Sequence, residues 1–213
     1  MSDIVKNFQN IRSSINNSNV NIIAVSKTFS LDKIKPLIDI GHNHFGENKV
    51  QEAKNKWLNV KEKNTKLQLH MIGKLQTNKA KEAVELFDYI HSVDNEKLAI
   101  AIAKYEKLLS KRNKYFIQVN VGNESQKSGI HIEQLSDFYC FCKKISLNVI
   151  GLMCIPPNEK NSKKYFIELS RLNKFLKLDH VSMGMSSDFL DAIQCGSTFV
   201  RIGSAIFGDR TFK

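Results

Sequence analysis

The sequence predicts an α/β fold, a single (β/α)8 TIM barrel with an extra N-terminal helix, spanning residues 1–213 as one domain. Three observations carry this. Eight short apolar runs recur at a fairly steady interval along the chain. The segments between them show helical periodicity. No Pro/Gly/Ser linker or low-complexity tract interrupts the series, and 42% hydrophobic residues suffice for one full core.

The N-terminal "MSDIVKNFQNIRSSINN" places Ile4, Phe8, Ile11 and Ile15 on one face, which makes it the extra amphipathic helix. It has no apolar h-region, so no secretory signal is read there. The first strand is "NIIAVSK" (21–27), followed by the helical "LDKIKPLIDIG". The second is "HNHFG" (42–46), followed by "KVQEAKNKWL". The third is "LQLHMIG" (67–73), with "TNKAKEAVELF" after it. The fourth, "YIHSV" (89–93), leads to Asp94 and Asn95, a cap for a helix with Leu98, Ile102, Tyr105 and Leu109 on one face. The fifth, "YFIQVNV" (115–121), opens a polar loop, "NVGNESQKSGI", that is either a lid or a plain connection. A helix with Ile132, Leu135, Tyr139 and Cys142 on one face comes next. "LNVIGLMCI" (147–155), "LDHVSMG" (178–184) and "STFVRIG" (197–203) complete the set, separated by "KKYFIELSRLNKFLK" and "DFLDAIQCG". The rival is a doubly wound open sheet. The first strand-to-helix turn lacks G-x-G-x-x-G, which weakens a dinucleotide-binding version of it.

Composition narrows the function. The chain carries 32 Lys and Arg against 21 Asp and Glu, a net charge of +11. The lysines are spread over every segment without an aromatic-rich basic cluster, so solvated helix faces are favoured over nucleic-acid binding. A phosphorylated ligand would suit the positive field. No stretch approaches the ~20 apolar residues of a membrane span. The four cysteines, at 140, 142, 154 and 195, lack zinc-site spacing and read as reduced thiols in a cytoplasmic protein. His42, His44, His91, His131 and His180 also lack metal spacing and read as surface or satisfied core residues.

In a barrel, functional groups gather at the C-terminal ends of the strands. Strand 1 ends in Lys27, strand 2 is followed by Glu47 and Asn48, and strand 3 carries His70. Strands 7 and 8 run into "SMGMSSD" and "RIGSAIFG", and closure makes all five strands neighbours. Gly203 lets backbone approach an anion, and the amides of Gly203 and Ser204 lead a short helix. "SMGMSSD" adds hydroxyls and another glycine on the same side, and a helix N-cap at Ser186 or Ser187 is expected before "DFLDAI" as well. Lys27 is equally a structural rim residue or a desolvated amine that attacks an aldehyde. A phosphorylated aldehyde, with phosphate on Gly203 and Ser204 and carbonyl at Lys27, describes pyridoxal 5′-phosphate. Arg201 is then placed to meet the ring nitrogen and keep it unprotonated, where a carboxylate would strengthen the electron sink.

Seven motifs, "AVSKT", "FGENKVQEAKNK", "HMIGKLQTNK", "SVDNEKLA", "QVNVGNESQKSGI", "GLMCIPP" and "SMGMSSDFLDAIQCGSTFVRIGSAIFG", run in order from residue 24 to 208. Together they resemble the pyridoxal-phosphate homeostasis protein family, single-domain relatives of the alanine racemase barrel. The resemblance implies that Lys27 holds the cofactor as an internal aldimine and that Asn48 and Ser182 line the pocket. It implies Arg201 at the pyridine nitrogen, Gly203 and Ser204 at the phosphate, and His70 in the strand 3 motif with a less defined role. Met71 stands where an aromatic or leucine is commoner, and Ser187 replaces an often acidic residue.

The expected function is therefore a non-catalytic pyridoxal-phosphate carrier in vitamin B6 homeostasis, with apo-forms of cofactor-dependent enzymes as recipients. The alternative is a racemase or decarboxylase on the same barrel. Such racemases resemble a barrel plus a second β-domain that delivers a tyrosine base, and this chain ends at Lys213 without one. For the same reason a monomer is expected. A third reading, an aldolase, requires an acid/base beside Lys27, and the strand ends offer little beyond Glu47.

Overall fold

A computed structural model describes residues 2–15, 17–124, 126, 128–157 and 162–209. Ser125 and Lys127, in the loop read as lid or connection, lie outside that description.

Eight parallel strands close into a barrel in chain order: β1 (Asn21–Val25), β2 (His44–Glu47), β3 (Gln68–Met71), β4 (Tyr89–Val93), β5 (Lys114–Gln118), β6 (Val149–Met153), β7 (His180–Ser182) and β8 (Phe199–Ile202). The seam is the β1–β8 ladder, with Asn21 opposite Phe199 and Ala24 opposite Ile202. Helices α2 (Leu31–Asp39), α3 (Val50–Lys63), α4 (Ala80–Leu86), α5 (Glu96–Leu109), α6 (Leu135–Lys144), α7 (Lys163–Phe175) and α8 (Phe189–Gln194) form the outer ring. A four-residue helix, α9 (Ser204–Phe207), follows β8. This is the (β/α)8 barrel that the periodicities predict.

The strands are short and buried on both faces, as expected for a parallel barrel whose helices cover the outside. Ile23, Tyr89, Phe116, Met153 and Phe199 fill the interior. The larger core lies between strands and helices, where the Trp57 ring packs on Phe45 at 4.8 Å. The extra helix is α1 (Asp3–Ser14), which buries Val5 and Ile11. It is tied to the last element by the Asn7 side-chain amide, which donates to the Ile206 carbonyl at 3.2 Å.

Three local expectations change. β1 stops at Val25, so Lys27 stands two residues on, in a turn that takes Thr28 to φ 69°. Glu47 is the last residue of β2 rather than part of the following loop. The N-cap position of the helix after β7 is Asp188, without a side-chain cap bond, rather than Ser186 or Ser187. By contrast Asn95 caps α5 as read, its side-chain oxygen accepting from the Leu98 amide at 2.9 Å.

Candidate functional site

At the C-terminal end of the barrel a cavity of about 360 Å³ opens between β1, β2 and β8. Its wall brings together Lys27, Asn48, Arg201, Gly203 and Ser204, with Ser186 and Ser187 from the β7 turn. Val25, Ile72, Ile155 and Met185 supply the apolar part. A smaller recess beside it shares Lys27, Gly203 and Ser204.

The turn bearing Lys27 is held from below. The Ser26 amide donates to the Gly46 carbonyl at 3.0 Å, and the Ser26 hydroxyl donates to Glu47 Oε1 at 2.8 Å. Glu47 Oε1 also receives Lys56 Nζ and Trp57 Nε1, both at 2.9 Å. Lys56 reaches on to the Ser26 carbonyl at 2.9 Å. The Thr28 amide donates to Glu52 Oε1 at 2.6 Å. Glu47 is thus a fully buried anchor of the turn and is absent from the cavity wall. It is not placed to act as an acid or base beside Lys27.

The other side is a backbone cradle. The amides of Gly203 and Ala205 both donate to Ser186 Oγ, each at 3.3 Å. These donors lead α9 and point at one oxygen, the arrangement that an anion oxygen also satisfies. A Cβ built on Gly203 would stand 3.5 Å from the Cβ of Val25, in a corner that both residues line. The absent side chain is therefore room in the cavity.

Arg201 is buried, 4% exposed, yet reaches the wall. Its Nη1 donates to Ser182 Oγ and its Nη2 to the Cys154 carbonyl, both at 2.8 Å. Beneath it lies a line of imidazoles. Ser182 Oγ is 3.0 Å from His91 Nδ1, His91 Nε2 is 2.9 Å from His70 Nδ1, and His70 Nε2 is 2.9 Å from His44 Nδ1. The His70 ring stacks on Tyr89 and the His91 ring on Phe116, each pair at 4.3 Å. Burial, reinforced for His70 by neighbouring imidazoles and for His91 by Arg201, holds both pKa values well below 6.5. Burial, with help from Lys114, brings His44 down to about 4. The line is accordingly neutral near pH 7.

Five of the seven residues singled out in the sequence meet on one wall: Lys27, Asn48, Arg201, Gly203 and Ser204. Ser182 and His70 do not line it. Their side chains point into the barrel one layer deeper, and Ser182 reaches the cavity only through Arg201. Ser186, read both as a hydroxyl on the phosphate side and as a cap, stands in the cradle and not at the cap. Its signal was the glycine in "SMGMSS", because Gly184 at φ 90° turns the chain back over the β8 end. Among the described residues no group of three or more His, Cys, Asp and Glu side chains is arranged to hold a metal ion.

Comparison with known proteins shows the family. The model for the alanine racemase N-terminal domain matches residues 1–211. A pyridoxal phosphate homeostasis protein of Vibrio cholerae is 38% identical over 207 residues, covering 92% of this chain and 88% of that protein. One of Escherichia coli K12 is 34% identical over 233 residues, covering 100% and 99%. The structure of PipY from Synechococcus elongatus PCC7942 with PLP bound is 32% identical with a TM-score of 0.89, over 96% of this chain and 100% of that one. An alanine racemase of Clostridium difficile shares the fold at 14% identity and a TM-score of 0.76, this chain matching 57% of its length.

Proposed function

This chain belongs to the pyridoxal phosphate homeostasis protein family, and from that premise we propose that it binds pyridoxal 5′-phosphate in the Lys27–Arg201–Gly203 cavity and holds it in reserve without turning over a substrate. The observation that supports this best is the meeting of an amine, a guanidinium and a glycine–serine turn on one wall.

The donor set fits the cofactor. When bound, the cofactor supplies an electrophilic aldehyde and an electron-accepting ring. Lys27 provides the amine for a covalent link to that aldehyde. The amides leading α9, with the Ser186 and Ser204 hydroxyls, suit the phosphate. Arg201 offers the ring nitrogen a hydrogen bond, and a guanidinium gives up no proton near neutral pH. The ring nitrogen then stays unprotonated, which weakens its pull on electrons.

Restraint from catalysis has structural support. Among the described residues of the cavity wall there is no carboxylate, imidazole or phenol to take a proton from a substrate carbon. Glu47 is engaged by Ser26, Lys56 and Trp57, which disfavours the aldolase reading. Lys27 is only partly buried, which suits cofactor entry and release. On this reading the protein works as a cytoplasmic monomer and passes its cofactor to apo-forms of pyridoxal-phosphate enzymes.

Equilibrium dialysis tests the reading. One pyridoxal phosphate per chain, displaced by inorganic phosphate, with no racemisation or decarboxylation of amino acids, is expected. Absence of stoichiometric binding refutes the carrier, and sustained amino-acid turnover replaces it with the enzyme.

A further inference from the structure

A hydrogen-bonded line crosses the barrel interior from the cavity toward its opposite end, through Arg201, Ser182, His91, His70 and His44. Its direction follows from its first member. A guanidinium has donors and no acceptor, so the Ser182 oxygen accepts from Arg201 Nη1. The Ser182 proton then needs an acceptor. Among the described residues, the remaining partner of that hydroxyl is His91 Nδ1. His91 Nδ1 must therefore be bare, and the single proton of this neutral ring sits on Nε2. From there it is donated to His70 Nδ1, which is bare in turn. His70 donates from Nε2 to His44 Nδ1. The opposite polarity would leave the buried Ser182 hydroxyl proton without a partner, at the cost of an unmade buried hydrogen bond.

We infer that His91 and His70 are positioning residues for Arg201, joined to it in a one-way hydrogen-bond chain in which all three imidazoles carry their proton on Nε2. Engaging the Ser182 proton with His91 turns the oxygen's lone pairs to Arg201, and serial donors polarise one another in a low-dielectric interior. With Nη1 tied to Ser182 and Nη2 to the Cys154 carbonyl, the guanidinium plane is fixed at two points. None of the three histidines lines the cavity. A plain buried core of histidines would need no common tautomer and would not act on a ligand.

The inference about cofactor affinity rests on the function proposed above; the tautomer pattern does not. Side-chain nitrogen NMR on protein labelled at histidine reads the tautomers with no ligand present. His44, His70 and His91 are expected as neutral Nε2–H rings at pH 7. In Arg201→Leu, which lacks the directing donor, His70 and His91 are expected to show mixed tautomers. A proton on Nδ1 of His70 or His91 in the unmodified protein overturns the chain.

The second arm measures pyridoxal phosphate binding and its absorption band. His91→Leu is expected to bind about tenfold or more weakly with a shifted band, since an anchored donor is lost. His91→Asn, which returns an acceptor toward Ser182, restores most of both. His44→Ala cuts only the far end and leaves the His70 and His91 tautomers as they were. Equal affinity and an unchanged band in His91→Leu overturn the positioning role. Should the unmodified protein not bind pyridoxal phosphate at all, the proposed function fails, while the tautomers still judge the chain.

Discussion

Lys56 Nζ lies 2.9 Å from Glu47 Oε1, and this buried ion pair sits under the turn that carries Lys27. The amine also holds the Ser26 carbonyl, one residue before Lys27. The turn that places Lys27 is therefore braced by an ion pair outside the cavity.

Lys56→Met would leave the Glu47 carboxylate buried with only Ser26 and Trp57 as donors. Stranding a buried charge costs about 3 kcal/mol or more. Urea denaturation should register that loss, together with weaker pyridoxal phosphate binding as the Lys27 turn loosens. Unchanged stability and binding would show that the pair does not support the turn.

Acid should destabilise the protein well before carboxylates matter. His70 and His91 have folded pKa values well below 6.5, and those of His42 and His44 are about 4, all lowered chiefly by burial. The unfolded chain takes up these protons near pH 6.5 and the folded chain does not. The stabilisation is complete above that pH and is lost as pH falls toward the folded values. At pH 5 each fully buried imidazole should cost on the order of 2 kcal/mol. Thermal melts at pH 7 and pH 5 test this, and equal melting temperatures would contradict it.

Two glycines near the site should behave oppositely. Gly184 has φ 90°, and an added Cβ would lie 2.6 Å from the Cβ of Ala192. Its carbonyl also accepts the Arg201 amide at 3.0 Å. Gly184→Ala should lose about 3 kcal/mol of stability from strain and overpacking. At Gly203 the same methyl meets Val25 at an ordinary 3.5 Å. Gly203→Ala should melt within a few degrees of the parent and yet bind pyridoxal phosphate about tenfold more weakly, because the methyl occupies the cavity corner. Calorimetry and titration of both variants decide the matter. Tight binding by Gly203→Ala would move the phosphate elsewhere.

Much of the barrel was legible because periodicity encodes it. Alternation of buried strands with amphipathic helices placed every β element, and Asn95 advertised its cap. The end of β1 was read too long, since the sequence run continues past the last ladder bond, and Lys27 thereby moved from strand to turn, whereas β2 was read one residue short at Glu47. Lys27, Arg201, Gly203 and Ser204 were visible because glycine, serine and charge at strand ends are conspicuous in sequence, and Asn48 through the family resemblance of its motif. The imidazole line was not. Its partners stand 26, 21 and 91 residues apart, and no local spacing marks them. Ser182 was placed in the cavity by the family resemblance of its motif, but the inward turn of its side chain puts it beneath Arg201.

The central claim is that Lys27 is the amine that holds the cofactor. Borohydride reduction after mixing with pyridoxal phosphate, followed by peptide mass mapping, tests it most directly. The account predicts one reduced adduct per chain, on the peptide containing Lys27, and none on that peptide in Lys27→Ala. An adduct spread over surface lysines, or an undiminished one in Lys27→Ala, would contradict it.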